Sequence, residues 1–288
     1  MALSRRALLR LVQLAVVAVI LVVTLRALRG QWDEVGAQVL AVRPDWPLAL
    51  ASCAIVLLTY GLLVDAWRRV ANGMGGHLTW VIAARIWFVS NLARWAGSLF
   101  QIGALGVLSQ RVGLSPVTAT GAALLMTIVN LVTGFAVAFA TGAGAARLGS
   151  TGVVVAVIGA LGVVAAPIVT PWAARLASRL TGRDLALPTV SVRALVVAAI
   201  GTTAAWILYG LAFQLLTRAT LGHAPGGWLT YVSVYTLAYL VGFLGLTPGG
   251  IGVAEGAMTI AFATTGVLTP AEALTMAEIG RASCRERV

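Results

Sequence analysis

Lysine does not occur in this chain, and only 10% of its 288 residues are charged, against 60% that are hydrophobic. A soluble domain needs more polar surface than this to cover its core, so the composition excludes a soluble globular protein and indicates that a lipid bilayer is the solvent. No polar stretch is long enough to form a separate water-soluble domain. The sequence therefore predicts one transmembrane domain over residues 1–277.

The basic residues are all arginines, and they give the chain a net charge of +11. A nucleic-acid-binding protein gathers its basic residues on one exposed face. Here they stand at the ends of apolar segments, as the positive-inside rule requires. Nucleic acid is therefore not an expected partner, whereas a membrane lipid is, because arginine makes bidentate contacts to phosphate.

Residues that carry metal, disulfide or catalytic chemistry are scarce. Cys53 lies in an apolar run and Cys284 near the C-terminus, so no disulfide framework is indicated. His77 and His223 are too isolated to hold a metal. The chain has no nucleophile elbow, HExxH motif, phosphate-binding loop or neighbouring pair of carboxylates in its apolar core. We therefore expect no metal, no cofactor and no enzymatic activity.

Apolar runs long enough to cross a bilayer are separated by short polar breaks. Arg5, Arg6 and Arg10 stand at the start of the first run, which is too long for a signal peptide and lacks a cleavage site. We therefore predict a multi-pass protein of the bacterial inner membrane with a cytoplasmic N-terminus. The predicted segments are 8–28, 47–67, 79–108, 115–141, 152–172, 192–217, 227–246 and 249–265.

The segment 79–108 is interrupted by polar and glycine residues. If it crossed the membrane once, the arginine-rich loop at 175–193 would lie outside, against the charge rule. If it enters and returns on the same side, that loop lies in the cytoplasm. Such a backbone survives in a membrane only when it is buried in protein or lines a wet cavity. The charge pattern therefore predicts a re-entrant hairpin.

Two interrupted segments resemble one another. Pro116 follows Gly97 by 19 positions, and Pro270 follows Gly249 by 21. Each proline also ends a similar motif, which is GLSP at 113–116 and GVLTP at 266–270 and begins with Gly113 and Gly266. Each segment also comes after a full span, and the charge rule gives those two spans opposite directions. The sequence therefore predicts an all-α polytopic membrane helix bundle with an inverted-topology repeat, whose halves cover about 47–141 and 192–277. Each half contains one hairpin broken by proline or glycine, as in transporters built from such repeats.

These motifs resemble a known family. Residues 246–256 read LTPGGIGVAEG and are similar to the signature of the lysylphosphatidylglycerol synthase transmembrane region family, a flippase-like domain; residues 94–103, RWAGSLFQIG, with 113–116, GLSP, resemble its first-half motif. The family pattern has proline where Ala96 stands. The resemblance implies a membrane module that binds and translocates lipid. It is sometimes fused to an aminoacyl-transferase domain, which this sequence does not contain, so we do not expect lysyl transfer.

The candidate lipid-binding residues lie in the two breaks. Glu255 is an acid inside an apolar stretch, where it must face a cavity, pair with arginine or be protonated. Arg94 is its expected partner, or else a ligand of a lipid phosphate; snorkelling to the interface is the alternative. Gln101 is expected to donate to a headgroup or to a neighbouring helix. The exposed amides around the break glycines suit an anion. The full set is Arg94, Gly97, Gln101, Pro248, Gly249, Gly250 and Glu255.

The predicted function is therefore the binding and transbilayer movement of a phospholipid or a lipid-linked polar headgroup. The alternative is a non-catalytic membrane subunit that accompanies a cell-envelope glycosyltransferase or lipid-modifying enzyme. Residues 278–288 look like a translated sequencing adapter, because an apolar segment turns abruptly into arginines and a glutamate. We expect the natural reading frame to continue past Ala277 into an apolar helix.

Overall fold

The computed structural model describes residues 44–93, 98–142, 190–244 and 252–285, all within one compact unit that begins at Pro44. In these residues the chain forms eight helices and no strand. They are α1 (Trp46–Gly73), α2 (Trp80–Leu92), α3 (Ser98–Gln110), α4 (Pro116–Ala140), α5 (Val192–Leu221), α6 (Trp228–Leu244), α7 (Val253–Thr265) and α8 (Pro270–Arg285). The predicted all-α class is confirmed. The predicted spans 8–28 and 152–172 lie outside the described residues.

Three of these helices, α1, α4 and α5, are long and apolar enough to cross a membrane. They contain 28, 25 and 30 residues, and a rise of about 1.5 Å per residue makes each longer than the roughly 30 Å hydrocarbon layer. Their outer faces expose large apolar side chains such as Leu50, Leu124 and Ile200. Apolar surface on this scale is stable against lipid and not against water, so the fold is a membrane helix bundle.

Capping side chains and prolines in the sequence define where several of these helices begin. Asp45, Thr79 and Ser115 each accept a hydrogen bond from the backbone N–H three residues later, which caps α1, α2 and α4. Proline stands in the first turn of α1 and of α4, where its missing N–H costs nothing. These caps explain why the helices begin where the apolar runs do.

The interrupted segment 79–108 is not one helix. It forms α2 and α3, each of 13 residues, so each is about 20 Å long and too short to cross the hydrocarbon layer. The two helices pack against each other on either side of residues 94–97, which lie outside the described residues. This geometry agrees with a hairpin. That the hairpin enters and leaves the membrane on one side stays a prediction.

The same element order occurs twice, as α1–α4 and as α5–α8. Within each half the first helix packs against the second and the fourth, the second against the third, and the third against the fourth. The motif that led to the repeat also has one structure in both halves: Gly113 and Gly266 have φ of 79° and 67° and precede hydroxyl side chains that cap α4 and α8. Equal packing and equal turns agree with the predicted repeat.

The first helices of the two halves run antiparallel. The Asp45 N–H donates to the Ala219 carbonyl at 2.8 Å and the Ser52 hydroxyl donates to the Ala212 carbonyl at 2.7 Å, while the other end of α1 places Gly73 against Ala194. The start of α1 therefore meets the end of α5. Opposite directions of equivalent helices are what an inverted repeat requires. The sidedness of each half in the membrane stays a prediction.

We expect cysteine labelling in intact cells to show that sidedness. If the hairpin at 79–108 returns the chain to its starting side, single cysteines between 175 and 193 should be protected from a membrane-impermeant maleimide, and cysteines between 144 and 150 should react. The background for these variants is Cys53→Ser with Cys284→Ser. Reaction on the opposite sides would contradict the hairpin and make 79–108 a single crossing.

Candidate functional site

The first break is held by polar side chains from both of its helices. The Gln101 side-chain amide, on α3, donates to Asn91 Oδ1, on α2, at 2.7 Å, and both side chains are partly buried. From the sequence, both a headgroup contact and a helix–helix contact were possible for Gln101. The structure places it in a helix–helix contact that ties the two short helices together beside the break. Arg94 and Gly97 lie outside the described residues.

The second break lies between α6 and α7. Pro248, Gly249 and Gly250 lie outside the described residues, but the two helices that flank them are in close contact. A Cβ atom on Gly242 of α6 would lie 2.6 Å from the Ala254 Cβ of α7. Glycine at position 242 therefore allows the helices on either side of the break to approach, as they also do at the first break.

Glu255 is buried at the first turn of α7, with only 9% of its surface exposed. Its Oε2 accepts a hydrogen bond from the Gly252 N–H at 2.7 Å, which satisfies a backbone donor that the helix itself leaves free. A carboxylate at this position is also favoured by the positive end of the helix dipole. The Glu255 side chain therefore fixes the start of α7, where the break ends, and it is also a buried carboxylic acid at that point.

This capping role of Glu255 was not predicted from the sequence. A glutamate at the third position of a helix, reaching back to the N-cap, is half of a capping box. The residues GVAE at 252–255 carry that pattern with glycine in place of the usual Ser or Thr. The capping-box pattern is present in the sequence, but the sequence does not show at which residue of the glycine-rich run the helix begins.

A cluster of tyrosines, which was not predicted from the sequence, lies where the two halves meet. Tyr60 on α1 and Tyr209 on α5 contact each other across the antiparallel pair, with ring centroids 6.2 Å apart. Tyr60 contacts Phe88 of α2 at 6.0 Å, and Tyr209 stacks on Tyr235 of α6 at 5.5 Å. The same contact, from a first helix to a second helix, thus occurs in each half. All three tyrosines are partly buried.

The tyrosine cluster lies between the halves, where transporters with inverted repeats bind their substrates. Its rings give an apolar wall, and aromatic side chains with hydroxyl groups are suited to surfaces that are partly apolar and partly wet. A comparison of the two halves helix by helix could have found it, because Tyr60 and Tyr209 lie at nearly equivalent positions of α1 and α5. Composition and motifs alone could not.

Ion pairs in the described residues lie toward the ends of helices. Asp65 pairs with Arg68 at 2.7 Å and with Arg69 in the second half of α1, at the i,i+3 and i,i+4 spacings that bring side chains together on one helix face. At the start of α8, Glu272 contacts the His223 ring at 3.2 Å and accepts hydrogen bonds from the Thr269 N–H and hydroxyl. This second set joins the α5–α6 loop to α8.

The pKa of Glu272 is lowered, chiefly by the hydrogen bond from the Thr269 backbone, with further contributions from the Thr269 hydroxyl and from His223. A lowered pKa in the folded state means that the carboxylate stabilises the fold at neutral pH and loses this effect as the pH falls through the folded pKa. We therefore expect Glu272→Gln to lower the thermal unfolding temperature in detergent at pH 7, and the gap from the wild type to close toward pH 3. A gap that is the same at both pH values would contradict this role.

The long apolar helices, the pairs of short helices between them and the antiparallel packing of α1 and α5 together define a multi-pass membrane protein. The sequence pattern of the lysylphosphatidylglycerol synthase TM region family matches residues 10–283. The chain belongs to this family. No curated protein and no solved structure matches it.

Proposed function

We propose that this protein binds a phospholipid or a lipid-linked polar headgroup and moves it across the bilayer. The observation that carries the proposal is the pair of helix breaks in antiparallel halves, one beside the Asn91–Gln101 contact and one beside Glu255. Broken helices at equivalent points of two inverted halves are the arrangement by which secondary transporters expose backbone groups to a substrate near the bilayer midplane. Membership of the family supports the same function.

In this proposal the two breaks contribute different groups to the binding of the lipid headgroup. The backbone amides at Gly97 and at Gly249 and Gly250 hold the anionic headgroup, because free N–H groups at a helix end attract negative charge. Arg94 contacts the phosphate. Glu255 supplies the opposite charge. Arg94 pairs with Glu255 while the site is empty and with the lipid phosphate when a lipid is bound. The tyrosine cluster forms the wall between the two halves.

The proposal places the protein in a bacterial inner membrane with its N-terminus in the cytoplasm, and it assigns no catalytic step to the chain. The apolar core of the sequence contains no neighbouring pair of carboxylates, and its two histidines, His77 and His223, are far apart in the sequence, whereas membrane glycosyltransferases and phosphatases act through paired acids or grouped histidines. The second candidate is a non-catalytic subunit that accompanies such an enzyme. It is favoured by the capping contact of Glu255, which gives that acid a structural purpose without any lipid.

Native mass spectrometry of the protein after gentle extraction tests the binding step. We expect one class of anionic or lipid-linked headgroup to remain bound to the wild type and to be lost from Gly249→Leu, whose side chain would fill the space that the headgroup needs. The matched control is Gly256→Leu, because a Cβ at Gly256 of α7 meets no other atom within 4 Å. Retention of the same lipids by all three proteins would contradict the proposed site, and stable co-purification of an envelope enzyme without lipid movement would favour the second candidate.

A further inference from the structure

Arg85 differs from the other arginines whose side chains the structure describes. It is the sixth residue of α2, it is exposed, and it forms no ion pair with any carboxylate of the described residues. The other described arginines either pair with Asp65 or stand within about one turn of a helix end; they are Arg68, Arg69, Arg111, Arg193 and Arg218. An arginine without a counter-charge on a membrane helix is costly, so Arg85 indicates a binding function.

Arg85 belongs to an exposed stripe along α2. Val81, Arg85, Val89 and Leu92 are spaced so that they lie on one face of the helix. All four are exposed, and Val81 exposes 72% of its surface. The opposite face of α2 is buried in the bundle and consists of Ala83, Ile86 and Ser90. The stripe therefore presents a single cation within an apolar surface.

The position of Arg85 along α2 suits contact with a lipid phosphate. The helix begins at Trp80, whose ring is also exposed, and an exposed tryptophan at a helix end is typical of the membrane–water interface. Arg85 lies five residues further along, or about 7.5 Å along the helix axis. Helix side chains lean toward the N-terminus, and the long arginine stem extends this reach. The guanidinium can therefore reach the lipid phosphates, while Val89 and Leu92 lie beside the acyl chains.

The described part of the chain offers Arg85 no free acid. Asp65, Glu255 and Glu272 are all engaged in the contacts described above. A phosphate matches the planar fork of arginine, which can donate two parallel hydrogen bonds to it. In a zwitterionic lipid the phosphate is already balanced by a cationic headgroup, so a lipid with a net negative charge is the better partner for Arg85.

We infer that the stripe formed by Val81, Arg85, Val89 and Leu92 is a binding site for one anionic phospholipid. The lipid phosphate pairs with Arg85, and an acyl chain lies along Val89 and Leu92. This lipid stays on the outer face of α2 and exchanges with the bilayer. The site is separate from the two helix breaks, and the inference holds whether or not the protein moves lipid across the membrane.

Contact between a fluorescent label and brominated acyl chains tests the site. Val89→Cys, in the background Cys53→Ser with Cys284→Ser, carries a bimane label, which bromine quenches on contact. The protein is reconstituted in phosphatidylcholine vesicles with a small, equal fraction of brominated phosphatidylglycerol or brominated phosphatidylcholine. A basic side chain near the membrane surface favours an anionic lipid by about fivefold, so we expect brominated phosphatidylglycerol to quench about five times as effectively.

Arg85→Gln should reduce this quenching ratio to about one, because glutamine keeps part of the stem and removes the charge. The unfolding temperature in phosphatidylcholine should not fall, since residue 85 is exposed. The matched control is Arg218→Gln, in the last turn of α5, which removes an equal charge from another exposed arginine and should leave the ratio unchanged. No preference for phosphatidylglycerol before the substitution, an unchanged ratio in Arg85→Gln, or an equal loss in Arg85→Gln and Arg218→Gln would overturn the inference.

Two further outcomes would also contradict the site. Weak quenching by both brominated lipids would show that protein, such as a second copy of the chain, covers the stripe. A loss of the preference when glycerol phosphate is added to the buffer would show that Arg85 recognises the phosphate alone and that the apolar residues of the stripe contribute nothing.

Discussion

Replacing Glu255 by glutamine should abolish lipid movement while leaving the protein folded. The acid is buried at the start of α7, and a charge at the bilayer centre costs about 2.5 to 3.5 kcal/mol on insertion scales, so it is retained there only if it is paired, hydrated or used. Glutamine keeps the shape and the oxygen that accepts the Gly252 N–H, and removes the charge. We therefore expect a loss of transport with only a small fall in the unfolding temperature, because the loss of charge removes the favourable interaction with the helix dipole.

Alanine at the same position separates the two roles of Glu255. Glu255→Ala removes the charge and also the capping oxygen, which costs about 1 kcal/mol at a helix N-terminus. We expect Glu255→Gln and Glu255→Ala to be equally inactive and the second to be the less stable of the two. Arg94→Ala should fold worse than either if Arg94 is the partner, because it leaves a buried carboxylate without its counter-charge. Full activity of Glu255→Gln would leave Glu255 as a capping residue alone.

Placing a methyl group on Gly210 should cause one of the larger losses of stability available in the described part of the chain. Gly210 of α5 faces Val232 of α6, and its Cβ would overlap the backbone Cα of Val232. Backbone cannot rotate away as a side chain can, so the two helices must separate. We expect Gly210→Ala to lower the apparent stability by about 1–3 kcal/mol, as overpacking does in other cores, measured by thermal unfolding in detergent.

Gly201→Ala is the matched control on the same helix. A Cβ on Gly201 would lie 3.7 Å from the Ala66 Cβ, an ordinary van der Waals distance. Alanine is favoured over glycine in a helix by up to about 1 kcal/mol, so this variant should be neutral or more stable. An equal loss of stability in Gly201→Ala and Gly210→Ala would show that the α5–α6 contact is looser than its geometry indicates.

Much of the architecture could be predicted from the sequence, because in a membrane the composition and the charge pattern are strong constraints. The predicted spans 47–67, 115–141 and 192–217 became α1, α4 and α5 with ends shifted by a few residues. The break in 79–108 was predicted from Gly97 and its polar neighbours, and α2 and α3 end and begin beside it. The matching turns at Gly113 and Gly266 were predicted as one motif, and both have a left-handed backbone.

What could not be predicted is the packing between segments that are distant in sequence. The tyrosine cluster depends on the antiparallel contact of α1 with α5. The sequence of neither helix indicates which other helix it packs against. The capping role of Glu255 depends on where α7 begins, and a glycine-rich run leaves that point open over several residues. Two kinds of partner were expected for Gln101, a lipid headgroup or a neighbouring helix. Its hydrogen bond to Asn91 follows from the proximity of α2 and α3, which the sequence does not show.

Transbilayer lipid movement in reconstituted vesicles is the most direct test of the proposed function. Fluorescent phosphatidylglycerol and phosphatidylcholine are placed in both leaflets, and dithionite destroys the label in the outer leaflet alone. We predict that the wild type makes nearly all of one headgroup class accessible within minutes, while Glu255→Gln and protein-free vesicles stop at about half, the share that two equal leaflets give. Wild-type traces that stop at the same half for every headgroup, from protein shown to be folded, would contradict the proposal and leave the chain as a lipid-independent membrane subunit.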